Sequence, residues 1–216
     1  MSVLTFLEGK KIIFWDFDGV IKESIDIKSN AFIEIFQNIS IETKNKIKTH
    51  HLDNGGMSRF EKIPLYLEWA SSEISVKSLE YYYNEFEKIV LDGVINAEWV
   101  QGVNKFIQEQ ATHYIFIIVS ATPQNEIEYI LEILRIRKFF KLIYGSPITK
   151  SDAISQTLKS LNISSRDSIM IGDAKADEIA ANKNNVTFIL RKHQYNHEVF
   201  KDYNGFFINN FLDYAK

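Results

Sequence analysis

Apolar residues follow two rhythms along this chain. Residues 12–15 are a continuous run, Ile12-Ile13-Phe14-Trp15, that leads straight into Asp16, Phe17, Asp18 and Gly19. A short apolar run bounded by polar residues reads as a buried strand of a parallel sheet. From residue 22 to 95 the spacing turns helical. Ala31, Phe32, Ile35, Phe36 and Ile39 predict an amphipathic helix over 24–39. Residues 41–51 are lysine-rich and weakly periodic, which suits a short solvated helix, and Asp53-Asn54-Gly55-Gly56 is a loop signal. Ser58 and Glu61 have capping-box spacing at the head of a helix through Arg59, Ile63, Leu67 and Ala70. Pro64 falls inside that helix, where a kink is expected. Leu79, Tyr82, Tyr83, Phe86, Ile89 and Val90 mark the buried side of a further helix over 75–91.

The second half alternates. Residues 99–111 read as helix and 114–119 as a β-branched strand; 126–136 is an amphipathic helix and 142–144 a short strand. Helix is then expected over 151–161 and 174–184, strand over 168–171 and 187–190, and a last strand over 206–208. Asn184-Asn185 suits a left-handed helix terminus. Strands alternating with helices imply right-handed crossovers and a parallel sheet covered on both faces. The expected fold class is α/β, a Rossmann-like parallel sheet core with helices on both faces. The core is drawn from residues 1–21 and 96–216, with an inserted all-helical domain over 22–95.

Composition narrows the function. With 216 residues, 45% hydrophobic and 25% charged, the chain can build one good core plus a smaller insert. A net charge of -3 argues against nucleic acid as a partner, since general binders carry a basic excess. The absence of cysteine excludes disulfides, a thiolate nucleophile and Cys-ligated metal, and fits a cytoplasmic protein. No apolar run approaches the roughly 18 residues of a membrane span, so no membrane partner is expected. Nothing in the sequence signals an oligomeric state.

Candidate chemistry sits where the predicted strands end. Asp16 and Asp18 follow the first, and side chains at i and i+2 share a face if the strand continues. Ser120-Ala121-Thr122 follow the second, Lys150 comes shortly after the third, and Asp173 and Asp177 follow the fourth. Each has a plain structural reading: a turn for Asp-Gly, a helix cap for Ser120 or Asp173, a solvated charge for Lys150. Their joint placement is harder to read that way, because the carboxyl ends of parallel strands converge on one ligand-binding edge.

In these residues the chain resembles the haloacid dehalogenase-like (HAD) superfamily, in the subgroup with a helical cap inserted after the first strand. That subgroup includes phosphoglycolate phosphatase and β-phosphoglucomutase. The motifs are DFDGV with Asp16 and Asp18, IIVSAT with Ser120, GSPITK with Lys150, and IGDAKAD with Asp173 and Asp177. They stand in order and span nearly the whole chain. Glu23, Gln101 and Asn184-Asn185 depart from the usual pattern without touching these positions.

The resemblance implies a phosphatase acting on a small phosphorylated metabolite. Asp16 would be the nucleophile that forms an aspartyl-phosphate, and Asp18 the acid and base on the leaving oxygen and water. Mg²⁺ would be held by Asp16, Asp173, the Asp18 backbone carbonyl, and Asp177 directly or through water. Ser120 and backbone amides near Ala121 would bind the phosphoryl oxygens while Lys150 offsets their charge. In the insert, Asn54 and Arg59 are candidates for substrate contact. For Arg59 the alternative is an exposed arginine in a first helical turn. His50, His51 and Lys62 are weaker candidates, and the two adjacent histidines lack a third ligand for zinc. A sugar phosphomutase with the same aspartyl-phosphate chemistry is the alternative. The Gly56–Arg59 segment leaves that open, whereas Gly172 before Asp173 leans toward a phosphatase. Loss of a core motif residue would have suggested a silent binding module. Phosphonate cleavage would need a Schiff-base lysine from the cap, and the second aspartate of DFDGV argues against it.

Overall fold

All four side chains of β1 (Ile12–Trp15) are buried, as a strand covered on both faces requires. In the computed structural model, which describes residues 3–36 and 38–212, β1 is central to a six-stranded sheet. Residue 37 of the helix expected over 24–39, and residues 1–2 and 213–216 of the expected core, lie outside the described residues. The other strands are β2 (Ile115–Pro123), β3 (Phe140–Ser146), β4 (Ser168–Gly172), β5 (Thr187–Arg191) and β6 (Phe206–Ile208). Their order is β3-β2-β1-β4-β5-β6 and every pairing is parallel. This is the doubly wound Rossmann order, whose direction reverses beside β1 and opens a crevice beyond the carboxyl ends.

The two-residue period of β1 divides the interior. Ile13 and Trp15 join one apolar cluster and Ile12 and Phe14 another, on opposite faces of the sheet. Trp15 packs against the rings of Phe106, Phe116 and Phe211 at centroid distances of 5.8, 5.3 and 5.4 Å. The helices are α1 (Val3–Leu7), α2 (Ile25–Ile35), α3 (Ile41–Asp53), α4 (Arg59–Trp69) and α5 (Val76–Asn96), then α6 (Val103–Gln110), α7 (Gln124–Ile133), α8 (Lys150–Leu161) and α9 (Lys175–Lys183). Five of them, α2 to α6, stand between β1 and β2 in the chain, and the first four, α2 to α5, make up the block whose helical spacing predicts them. Their buried residues Phe32, Ile63, Leu67, Phe86 and Val90 belong to the same cluster as Trp15. The insert is thus packed continuously with one face of the sheet. Its two connections run side by side, Glu23 N–H donating to Glu98 O at 2.9 Å and Val100 N–H to Ile21 O at 3.0 Å.

Local departures from the sequence reading have identifiable causes. Ser58 and Glu61 form the expected capping box at α4. Pro64 cannot donate to the Phe60 carbonyl, and the Tyr83 hydroxyl reaches that carbonyl at 3.4 Å instead. The helix expected over 126–136 begins at Gln124 and ends at Ile133, because Arg135 takes a left-handed φ of 59°. Asn185, with φ 54°, supplies the left-handed residue after α9. The strands expected over 114–119 and 142–144 extend through Pro123 and Ser146, because their pairing continues to a Pro123–Ser146 register. Periodicity did not predict α1.

Candidate active site

The crevice receives Asp16 directly from β1. Its Oδ1 accepts the Phe17 N–H at 2.7 Å, and its own N–H donates to Ile171 O on β4 at 2.9 Å. The chain then doubles back: Val20, Ile21 and Lys22 all donate to the Phe17 carbonyl. Gly19 makes that turn with a φ of 71°, and a Cβ there would strike the Asp173 carboxylate.

Lys150 is the first residue of α8, behind Thr149, whose side chain caps the helix by accepting from Asp152 N–H. Its ammonium bridges Asp16 Oδ2 at 2.8 Å and Asp177 Oδ1 at 2.6 Å. The other oxygen of Asp177 accepts from the N–H groups of Asp173 and Ala174, at 3.2 and 3.0 Å. Asp177, rather than Asp173, therefore closes the start of α9. Asp173 is held by His193 Nε2 at 2.8 Å, and its carbonyl accepts from Asn196 Nδ2 at 2.9 Å. Oxygens of Asp16, Asp173 and Asp177 lie within 4.8 Å of one another, all three residues being buried.

Three carboxylates against the one ammonium of Lys150 leave two formal negative charges (−3 + 1 = −2). Burial, then repulsion from Asp177, pushes the Asp16 carboxyl up to about 7, even with Lys150 beside it. Burial raises Asp173 and Asp177 as well. Burial alone would lower Lys150, but Asp16 and Asp177 hold its ammonium above the ordinary lysine range. An all-oxygen cluster whose ionised form lacks positive charge fits a hard divalent cation.

Asp18 faces another way. Its Oδ1 accepts from the Ser24 hydroxyl at 2.6 Å; its Oδ2 meets the Lys28 ammonium and the Thr122 hydroxyl, the latter at 3.2 Å. Lys28 also donates to Thr122 Oγ1 at 2.9 Å. Burial would raise the Asp18 carboxyl, but Lys28 with Ser24 and Thr122 brings it below the ordinary range. Ser24 precedes α2 without capping it, since its hydroxyl is committed to Asp18. Of the four aspartates expected at a metal, three converge through their side chains and Asp18 does not. For Asp18 the resemblance invoked only the backbone carbonyl.

Arg59 is neither exposed nor free. Its guanidinium donates to Glu126 Oε1 on α7 at 2.6 Å and lies 4.7 Å from the Phe86 ring centre, with both charged groups buried. Close by, the hydroxyls of Ser58 and Ser146 meet at 3.0 Å, so α4 is fastened to the core at two points. Asn54 donates to the His50 carbonyl at 2.9 Å and finishes α3. Ala121 lines the main cavity together with Asp16, Asp18 and Thr122. Ser120 is buried, its oxygen accepting from Thr122 N–H at 3.1 Å, and borders an adjoining cleft with Ser58 and Ser146.

The main cavity lies between the sheet edge and the insert and holds about 800 Å³ of non-atom space, counting the part open to solvent. From the insert come Lys28, Phe32, His51, Met57, Arg59, Lys62 and Phe86. Lys62 Nζ is 2.9 Å from His51 Nδ1, and burial followed by repulsion from Lys28 pulls the lysine down to about 7. Sequence reasoning noted Thr122 beside Ser120 without giving it a role, and missed Ser24, Lys28, Glu126 and His193. A signal existed for two of them: Ser24 and Lys28 are four apart at the start of a helix, hence on one face.

A parallel doubly wound sheet with buried carboxylates and a lysine at its carboxyl edge defines an α/β enzyme-type site. The family model for haloacid dehalogenase-like hydrolases matches residues 12–191, and the chain belongs to that family. No curated protein matches it in sequence. Among solved structures, a predicted phosphoglycolate phosphatase from Haemophilus somnus superposes with TM-score 0.77 at 16% identity, covering 95% of this chain and 96% of the other. A β-phosphoglucomutase from Clostridium difficile gives 0.74 at 19% identity, covering 94% and 92%. CbbY from Rhodobacter sphaeroides in complex with phosphate gives 0.75 at 15%, covering 95% and 96%. At these identities the likeness is one of fold. No helix among the described residues is long and apolar enough to cross a membrane.

Two expectations follow. Glu126→Ala leaves the buried Arg59 guanidinium unpaired and should lower stability by about 3–5 kcal/mol, read by urea denaturation; a loss under about 1 kcal/mol would mean that water replaces the pair. For Lys62, the folded value of about 7 lies below its ordinary 10.5, so between them the unfolded chain holds the extra proton. Stability should therefore rise from about pH 7.5 to 9, and Lys62→Met should reduce that slope in the same denaturation series.

Proposed function

We propose that this protein is a Mg²⁺-dependent phosphatase of small phosphate monoesters that works through an aspartyl-phosphate on Asp16. The observation that carries the reading is the convergence of Asp16, Asp173 and Asp177 around Lys150, with Asp18 adjacent yet engaged by its own partners. In this reading residues 22–95 act as a cap over a core of 1–21 and 96–216, excluding bulk water from the cavity. The phosphate named in the CbbY structure and the phosphatase named for the Haemophilus somnus neighbour support it, while the β-phosphoglucomutase neighbour carries the name of the alternative.

Asp16 and Asp173 would hold Mg²⁺, together with the Asp18 backbone carbonyl. Asp177 suits a role through water, because both its oxygens already accept hydrogen bonds. When bound, the cation neutralises charge on the phosphoryl oxygens and on the carboxylates around them. An Asp16 oxygen attacks phosphorus, the ester bond breaks, and the leaving oxygen takes a proton from Asp18. Water then attacks the aspartyl-phosphate and gives its proton to Asp18, which regenerates Asp16 and releases phosphate. Lys28 holds Asp18 as the carboxylate that the second step needs. Movement of Lys28 toward an anionic substrate would free Asp18 to carry the proton of the first step. Lys150 balances Asp16 throughout, and Ser120 with the amides near Ala121 would receive the phosphoryl oxygens.

A phosphomutase uses the same first step and returns the phosphoryl group to a sugar. Arg59, the cap residue that kept this alternative open, is committed to Glu126 here, which favours the hydrolase. With Mg²⁺ the protein should release phosphate from p-nitrophenyl phosphate; Asp16→Asn should lower kcat by about 10³-fold or more, and EDTA should abolish turnover. Near-normal activity in that variant, or an isomerised sugar phosphate in place of free phosphate, contradicts the proposal.

A further inference from the structure

Every other lysine or arginine that faces the main cavity meets a carboxylate. Lys28 pairs with Asp18, Arg59 with Glu126, Lys150 with Asp16 and Asp177, and Lys175 with Glu178. Lys62 does not. It is 1% exposed, and no carboxylate among the described residues pairs with it. Its hydrogen bonds go to His51, to Nδ1 at 2.9 Å and to the backbone carbonyl at 3.5 Å. A buried ammonium without a counter-charge is among the costlier features a fold can carry, and a methionine would fill the same volume without that cost. Helix capping does not account for it, since the contact with the His51 carbonyl is at the limit of a hydrogen bond.

The pair has a defined polarity. With Lys62 protonated its ammonium can only donate, so in that state His51 Nδ1 accepts and the ring proton sits on Nε2. Burial, then the charges of Lys62 and Lys28, keep His51 neutral. Lys62 and His51 both line the cavity that holds Asp16 and Asp18. Together they offer it N–H donors and, with Lys62 protonated, a positive charge that no carboxylate among the described residues pairs with, 5.7 Å from the centre of the Phe32 ring. A group that completes such a site accepts hydrogen bonds and carries negative charge.

We propose that Lys62 and His51 form a second anion subsite, which takes a carboxylate or phosphate at the non-reacting end of the substrate. This rests on the phosphatase reading and narrows it: the substrate is a phosphate monoester that carries a second oxyanion. Phosphorylated amino alcohols, whose ammonium would face Lys62, are excluded.

The test separates the subsite from the chemistry by using Asp16→Asn, which holds esters without turning them over. Calorimetry with Mg²⁺ compares 3-phosphoglycerate and 1,3-propanediol bisphosphate, which carry a second carboxylate or phosphate, with glycerol 3-phosphate, whose far end is neutral. At least one of the two acids should bind about tenfold or more tighter than glycerol 3-phosphate, and the tighter one identifies the class. Adding Lys62→Met should bring that ratio to about threefold or less, and Lys62→Arg should restore part of it. Equal affinity for all three esters, no binding of any, or a parallel loss in Lys62→Met overturns the subsite. The phosphatase reading stands or falls separately, on Asp16-dependent phosphate release from p-nitrophenyl phosphate by the unmodified protein.

Discussion

Everything at the sheet edge depends on one ammonium. Lys150 stands between Asp16 and Asp177, and without it three buried carboxylates would face one another unscreened. It reaches them because β1 and β4 are neighbours, and α8 begins at the same edge of the sheet. Two glycines follow from the same crowding. A Cβ at Gly19 would meet Asp173, and one at Gly172 would meet the Asp177 side chain. Asp177 also ties the loop after β4 to the start of α9, so the charge balance of the site and the local backbone are set together. Even so, Asp16 is raised to about 7, so the cluster retains a deficit of positive charge that a hard divalent cation would meet.

The insert is joined to this edge by two ion pairs, one half-buried and one buried, rather than by apolar packing alone. Lys28 on α2 meets Asp18, and Arg59 on α4 meets Glu126 on α7. The first pair links the position of the insert to the residue proposed to move protons; the second clamps the opposite side of the cavity. Removing one partner of such a pair leaves a buried charge unmet, which is why both are expected to matter beyond their local contacts. Lys62 follows the same rule with its partner missing.

Much of this was legible in the sequence where a signal is local. The apolar run before Asp16, the alternation of the second half and the helical spacing over 22–95 depend only on near neighbours, and each produced the elements expected. Asp16, Lys150, Asp173 and Asp177 were legible because parallel strands bring their carboxyl ends together whatever the loops do. Arg59 was not: its partner Glu126 is 67 residues away, and no periodicity links α4 to α7. Ser24 was read only as the start of a helix, but its hydroxyl reaches Asp18 across a turn that forms only in the folded chain. The lengths of β2 and β3 were underestimated for a related reason. Polar residues read as loop, yet the ladder between the two strands carries them on to Ser146.

The covalent route through Asp16 is the central claim, and trapping it is the most direct measurement. Asp18→Asn removes the group that takes the proton from water, so breakdown of the intermediate should slow, while attack by Asp16 remains on an ester such as p-nitrophenyl phosphate whose leaving group needs no proton. After this variant is mixed with p-nitrophenyl phosphate and Mg²⁺ and quenched in acid, peptide mass spectrometry should find a phosphoryl group on Asp16. Phosphate release with no adduct on any peptide, or an adduct on another residue, would contradict the account.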